Sequence, residues 1–194
     1  GFDSVHLDVS RLPDKENIHL TQKCVGLVRI YGRDLSVEGE LGKIGEGQYK
    51  KNDIKKDFTD LSKVKEYLDV TQVDRLAISI GSSHGMEDKI ARLDLDLLNK
   101  IFLRLSPKNS LTLHGGSGVD ENDLKNARRY FSNIHFNTDL RVAFKQGLIK
   151  GTSLETVKPY QYLEPAIDEV AKTVEDKIRL LGSNNKISII KELI

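Results

Sequence analysis

His84 and His114 are the residues of this sequence best placed to do chemistry. Each ends an apolar run and is followed by glycine, in the strings LAISIGSSHG (76–85) and LTLHGGSG (111–118). That pattern reads as two buried strands, each delivering an imidazole from its carboxyl end into a tight turn. Neutral imidazoles are donors that zinc takes, and a catalytic zinc uses three protein ligands and one open position. The two histidines are too far apart for a one-helix motif, but adjacent strand ends bring them together. Further ligand candidates in the chain are His6, Asp8 and Glu40. The bland alternative is a pair of core or loop histidines. A second chemistry is anion binding. Gly115, Gly116, Ser117 and Gly118 form one strand-end loop and His135, Phe136, Asn137 and Thr138 the next, with Ser117 and Thr138 supplying hydroxyls beside backbone N–H groups. Plain tight turns are the competing reading.

The elements that must position these groups alternate regularly. Strands are predicted at 4–8, 35–41, 75–80, 111–114 and 133–137, and helices at 14–31, 61–68, 93–105, 120–131 and 139–150, with a last helix at 165–181. On the first helix Ile18, Cys24, Val25 and Val28 are expected toward the core, and Gly32 is expected to cap it. Residues 45–60 are polar and lysine-rich and read as a long mobile loop, either solvated or a lid over substrate. Repeated β-α order implies parallel strands with right-handed crossovers. Asp8, Glu40, His84, His114 and Asn137 fall at or just past successive strand ends, which is barrel behaviour rather than the single switch point of a doubly wound sheet. The expected fold is therefore α/β, a partial (β/α)8 TIM barrel of about five C-terminal βα units plus an extra C-terminal helix. It occupies residues 1–182, followed by a tail at 183–194, with about three further units expected before Gly1.

Composition narrows the function classes. The chain has 194 residues, 38% hydrophobic, with a formal net charge of +1 and no Trp. Nothing pulls it toward nucleic acid. No apolar run approaches the roughly 20 residues of a membrane span, and no signal-peptide pattern is visible. The single Cys24 excludes an internal disulfide and suits a reducing, cytoplasmic setting; its neighbours favour packing over a reactive thiol.

The strings GFDSVHLDVSRLP, VEGELGKIG, AISIGSSHG, LTLHGGSGV and HFNTDLRVAF, in this order and spacing, resemble the carboxyl two-thirds of class II, metal-dependent ketose-bisphosphate aldolases. The resemblance runs from residue 1 to about residue 181. It implies a β/α barrel that cleaves a ketose 1,6-bisphosphate, of fructose or tagatose, to dihydroxyacetone phosphate and glyceraldehyde 3-phosphate. It makes His84 and His114 two of three histidine ligands of a catalytic zinc, and Asp8 and Glu40 acids at a secondary position for a second divalent or a monovalent cation. Gly85, Gly115, Gly116 and Ser117 would hold the dihydroxyacetone phosphate end, with His135, Phe136, Asn137 and Thr138 completing that site. Arg141 would meet the other phosphate. The family's third zinc histidine and its acid/base aspartate are expected before Gly1, so no catalytic acid/base is assigned in this chain, and the chain by itself is expected to be nearly inactive.

Three departures accompany the resemblance. Arg11 stands where many relatives have His, His135 where many have Asn, and the loop after Gly45 lacks the usual Glu-Asp pair. His6-Leu7-Asp8 imitates a His-x-Asp pair, but its flanks align it with the later, acid-bearing strand. Expected partners are the ketose bisphosphate, triose phosphates and further copies of the chain, as a dimer or tetramer. The alternative function is a non-catalytic barrel acting as a phosphate- or metal-binding or assembly module.

Overall fold

The computed structural model describes residues 2–31, 35–46, 57–85 and 90–184. The chain groups into two compact units, Gly1–His135 and Phe136–Ile194. In the first unit the strands are β1 (Ser4–Leu7), β2 (Ser36–Leu41), β3 (Gly45–Glu46), β4 (Arg75–Ile78), β5 (Ser83–His84), β6 (Ser110–Leu113) and β7 (Phe131–Ile134). Its helices are α1 (Asp14–Ile30), α2 (Leu61–Thr71), α3 (Leu95–Phe102) and α4 (Glu121–Ala127). The second unit holds α5 (Thr138–Thr152), α6 (Pro159–Tyr162) and α7 (Glu164–Leu181).

Five strands form one all-parallel sheet in the order β1-β2-β4-β6-β7, while β3 and β5 pair separately, also in parallel. The register explains the division of labour between the two faces of the large sheet. Gly39 lies opposite Leu7 and Leu76, and Leu76 opposite Leu111. With Val37, Leu41, Ile78 and Leu113, which alternate onto the same face, they present an apolar surface to the helices. The intervening rows are polar: His6, Glu38 and Arg75 are partners across three strands, and Glu40, Ala77 and Thr112 across the next three. Glu38, Glu40 and Thr112 are nevertheless buried, so this second face has to satisfy its charges internally.

Aspartates start three of the helices. Asp60, Asp94 and Asp120 each accept a hydrogen bond from a first-turn amide of α2, α3 and α4, at Ser62, Leu97 and both Asn122 and Asp123.

Several expectations shift. The fully buried residues of α1 are Asn17, Thr21 and the expected Val25, with Ile18, Cys24 and Val28 half-buried beside them. Asn17 donates to the Glu40 carbonyl at 2.9 Å, and the Tyr67 hydroxyl lies 3.3 Å from Asn17 and 3.2 Å from Thr21. Polar side chains with dedicated partners thus share the deepest positions of that face with Val25. The fifth strand is Phe131–Ile134, not 133–137, because α4 ends at Ala127 and a single 3-10 turn, Arg128–Tyr130, delivers the chain to the sheet early. α2 runs three residues beyond 68, to Thr71, where Gln72 closes it in the left-handed region (φ 57°). α3 is shorter than 93–105, and α6 was not foreseen. The expected mobile loop 45–60 is anchored at both ends: Gly45–Glu46 is strand, and Thr59 is buried, its hydroxyl donating to the Leu41 carbonyl at 2.6 Å and its amide to the Ser79 carbonyl at 2.9 Å; residues 47–56, the Gly32 cap and residues 185–194 lie outside the described residues. Among the described residues no helix is long and apolar enough to cross a membrane.

Two glycines test this packing with opposite signs. A Cβ on Gly39 would overlap the Tyr67 hydroxyl and press on Thr21 and Val73, whereas one on Gly26, in the middle of α1, would meet nothing within 4 Å. Gly39→Ala should therefore cost about 1–3 kcal/mol by overpacking, and Gly26→Ala should gain about 0.5–1 kcal/mol in helix propensity. Urea unfolding of the two variants measures both.

Candidate metal centre

The centre of the polar face is Glu38. One of its oxygens, Oε2, accepts hydrogen bonds from Arg75 Nε at 2.9 Å and Thr112 Oγ1 at 2.7 Å. The other, Oε1, lies 2.8 Å from His114 Nε2 and 3.9 Å from His6 Nε2. Arg75 is itself held by Ser36 and Ser4, at 2.9 and 2.7 Å. Burial pushes the Glu38 carboxyl up, but the hydrogen bonds from His114, Thr112 and Arg75 outweigh it and hold the group at about 2. An ionised carboxylate only accepts. His114 Nε2 is therefore the protonated nitrogen, and the lone pair of the neutral ring is on Nδ1.

His114 directly follows β6, and its neighbour Gly115 is in the left-handed region (φ +64°). A Cβ there would sit 2.7 Å from the Ser83 carbonyl, so the turn can close onto β5 only with glycine. His84 is not simply an extension of β4. It lies on β5, whose register pairs it with Glu46 of β3, and the Ser83 hydroxyl donates to the Gly45 carbonyl at 3.0 Å. The two expected ligands do converge: the His84 and His114 rings are 6.0 Å apart, edge to face.

Two more histidines share the spot. The His6 ring is 4.9 Å from that of His114, and His135 is 4.4 Å from it. His6 Nε2 lies 3.5 Å from Glu40 Oε2. That interaction, helped by the charges of Glu38, Glu40 and Asp8, raises the His6 pKa against the opposing effect of burial. Burial and the neighbouring His114 lower that of His135. The Ser10 hydroxyl lies between the acids, 2.7 Å from Asp8 Oδ1 and 3.2 Å from Glu40 Oε1. Burial raises the Asp8 pKa, but the Ser10 hydrogen bonds outweigh it and the net shift is downward. Within 4.8 Å of one another lie one ligand atom each from His6, Glu40 and His114. Two imidazoles and a carboxylate suit a borderline divalent ion such as zinc.

The Gly116 N–H is committed to the His135 carbonyl at 2.9 Å, so an anion at this turn must use other amides. Gly85 is also left-handed, at φ 73°. Beside Ser10 opens a cavity of about 560 Å³ walled by Arg11, Lys43, Asp57 and Lys63 among others. The remaining expected substrate residues open the second unit. Phe136 lies under Lys177 Nζ, 5.1 Å from its ring centre, Asn137 caps α5 by position without a side-chain cap bond, Thr138 begins that helix, and Arg141 is exposed on it.

Sequence reading did not assign Glu38, Arg75 or Thr112 to the site. The available signal was period-two alternation: Glu38 and Glu40 flank a glycine in an otherwise buried strand, and such acids require partners on neighbouring strands.

The Glu38 cluster has an acid signature. An unfolded glutamate titrates at about 4.3, and the fold holds Glu38 well below that, at about 2. The folded value is depressed, so this stabilisation is fully present above the unfolded value and is lost as pH falls toward 2. Glu38→Gln should lower unfolding free energy at pH 7, with the gap to wild type shrinking as pH drops below about 4. Denaturant titrations across that range check it.

Residues 1–186 match the family described as fructose-bisphosphate aldolase class-II. Fructose-bisphosphate aldolases of Staphylococcus epidermidis and Staphylococcus aureus are each 32% identical over 192 residues, covering 96% of this chain and 65% of their own length. Among solved structures, the YdjI aldolase from Escherichia coli K12 superposes with a TM-score of 0.79 at 27% identity, over 96% of this chain and 63% of that one. A putative fructose-1,6-bisphosphate aldolase from Coccidioides immitis shares the fold, with a TM-score of 0.77 at 22% identity, over 97% and 66%. The chain spans just under two-thirds of the length of the curated relatives it matches. With its match running almost end to end, this chain belongs to the class-II fructose-bisphosphate aldolase family.

Proposed function

We propose that this chain forms the metal- and phosphate-binding part of an enzyme that cleaves a ketose 1,6-bisphosphate to dihydroxyacetone phosphate and glyceraldehyde 3-phosphate, and runs the reverse condensation. The observation that carries the reading is the convergence of His84 and His114, from separate strand ends, at the glycine turn. Family membership supplies the reaction class. The sequential order of five parallel strands supports reading the sheet as five units of a (β/α)8 barrel, since a doubly wound sheet would reverse its order at a switch point.

His84 and His114 would hold zinc, with Asp8 and Glu40 beside a second cation. The donor set fits, because Glu38 fixes the His114 tautomer from behind. When bound, the metal supplies Lewis-acid polarisation of the substrate carbonyl. The chain's own task is orientation. Gly85, Gly115 and Ser117 are proposed to hold the phosphate of the dihydroxyacetone half, with Gly116 shaping the turn through its bond to His135. Phe136, Asn137, Thr138 and Arg141 are assigned as further substrate contacts on the resemblance. Fixing a bound phosphate removes rotational freedom before reaction, an effect that can reach about 7–11 kcal/mol at ideal geometry. The proposal includes a cytoplasmic homo-oligomer.

In the enzyme carrying this chain, His84→Ala or His114→Ala should lower kcat/KM for fructose 1,6-bisphosphate cleavage by at least about 100-fold. Chelation should abolish turnover and added zinc restore it. Undiminished turnover in either variant rules out the ligand assignment. The 194-residue chain alone should turn over little; zinc binding without turnover in the whole enzyme would instead favour a non-catalytic module. Parallel assays with tagatose 1,6-bisphosphate assign the sugar.

A further inference from the structure

Asp123 is a buried carboxylate that the proposed reaction does not use, and it follows shortly after the glycine turn at residues 115–118. We infer that Asp123 is a positioning residue for the phosphate of the substrate: with Arg92 it clamps the segment Ala91–Asp94, and that segment fixes the far end of the turn. The inference rests on the reading of Gly115 and Ser117 as phosphate contacts and adds the residue that holds them in place.

The clamp is built on one carboxylate. Asp123 Oδ2 accepts from the Leu93 amide and from Arg92 Nε, each at 2.9 Å, and Oδ1 accepts from Arg92 Nη2 at 3.0 Å. Arg92 Nη1 lies 3.5 Å from Asp120 Oδ2. The Asp123 side chain is 5% exposed and that of Arg92 70%, so the acid is the fixed member and the arginine closes over it from the surface. A forked arginine–carboxylate contact sets direction as well as distance. The clamped segment touches both strand ends that carry the site. Ala91 pairs in parallel with Val119, its amide donating to the Gly118 carbonyl at 2.8 Å and its carbonyl accepting from the Asp120 amide at 2.9 Å. The Asp94 amide donates to the Ile80 carbonyl at 2.8 Å, and a Cβ on Gly81 (φ +118°) would run into the Arg92 carbonyl. The glycine turn is therefore held at three places. Ser83 packs against its start, where it leaves no room for a Cβ on Gly115, the His135 carbonyl takes the Gly116 amide in its middle, and Ala91 holds its end at Gly118. Backbone amides bind an anion by converging on it, so the last hold governs how well the turn fits a phosphate. The competing explanation is that Asp123 only anchors α4, with no effect on a bound phosphate.

The test is inhibition of fructose 1,6-bisphosphate cleavage by inorganic phosphate in the enzyme carrying this chain, with KM and kcat measured alongside. Asp123→Ala should raise KM and the phosphate inhibition constant at least about fivefold, and by more than it lowers kcat. Asp123→Asn, which keeps an acceptor for the Leu93 amide, should recover part of that loss. A purely structural role gives the opposite split, because a smaller folded fraction lowers kcat and leaves KM and the inhibition constant unchanged; that result overturns the proposal. If Asp123→Ala does not fold, Arg92→Gln, at an exposed side chain, decides the matter. Its phosphate inhibition constant should rise at least about threefold, and a wild-type value overturns the proposal. Combined with Ser117→Ala, which alters the same turn directly, Asp123→Ala should be less than additive; full additivity also overturns it. A wild-type enzyme that neither cleaves the bisphosphate nor responds to phosphate would sink the aldolase reading itself, whereas wild-type constants in the Asp123 variants sink only the positioning role.

Discussion

The structure depends on a charge buried inside a sheet. Glu38 sits on the second of five parallel strands, 2% exposed and so largely removed from solvent screening. A carboxylate in that position is costly unless every lone pair is engaged. Here three hydrogen bonds come from three places, Arg75 on the neighbouring strand, Thr112 on the next and His114 just beyond it, while the His6 ring stands 3.9 Å away on the opposite side. A one-residue slip in any of those strands would turn its partner to the apolar face and leave the charge unpaired. The same interaction that the fold must satisfy therefore also sets the register and aims the imidazole.

The consequences run in both directions from that residue. On the helix side, the Glu-Gly-Glu pattern of β2 leaves only a hydrogen atom at Gly39, which lets the Tyr67 hydroxyl approach the sheet and join Asn17 and Thr21. Asn17 in turn holds the carbonyl of Glu40, so a helix surface network steadies the second acid of the site. On the site side, ionised Glu38 dictates which nitrogen of His114 carries the proton. A ligand imidazole is thereby presented in one tautomer before any ion arrives, which is the physical meaning of preorganisation at a metal centre.

The parts legible in the sequence were those with a short-range signature. Alternating β-α order and the two His-Gly strand ends can be read because periodicity and turn chemistry act over a few residues. The family could be read from VEGELG, SHG and LHGGSG taken together. What escaped depends on register. Nothing local announces that Arg75 and Glu38 are cross-strand partners, or that His84 is held by a two-residue strand paired with Gly45–Glu46. Two buried residues of α1 escape for a related reason: Asn17 and Thr21 look like solvent residues until Glu40 and Tyr67 are placed opposite them. His6 was weighed as a ligand in the sequence and set aside on its flanks; the sheet brings it to within 4.9 Å of His114.

Membership of the class-II aldolase family accounts for the strand ends and the glycine turn, and the physics of one buried carboxylate accounts for how they are held. The most direct measurement is the protonation pattern of the His114 ring, by 15N-resolved NMR on the metal-free chain at mildly alkaline pH. The account predicts a protonated Nε2 and a bare, pyridine-type Nδ1. A ring protonated at Nδ1 with Nε2 bare would contradict it, because an ionised Glu38 cannot donate to that nitrogen.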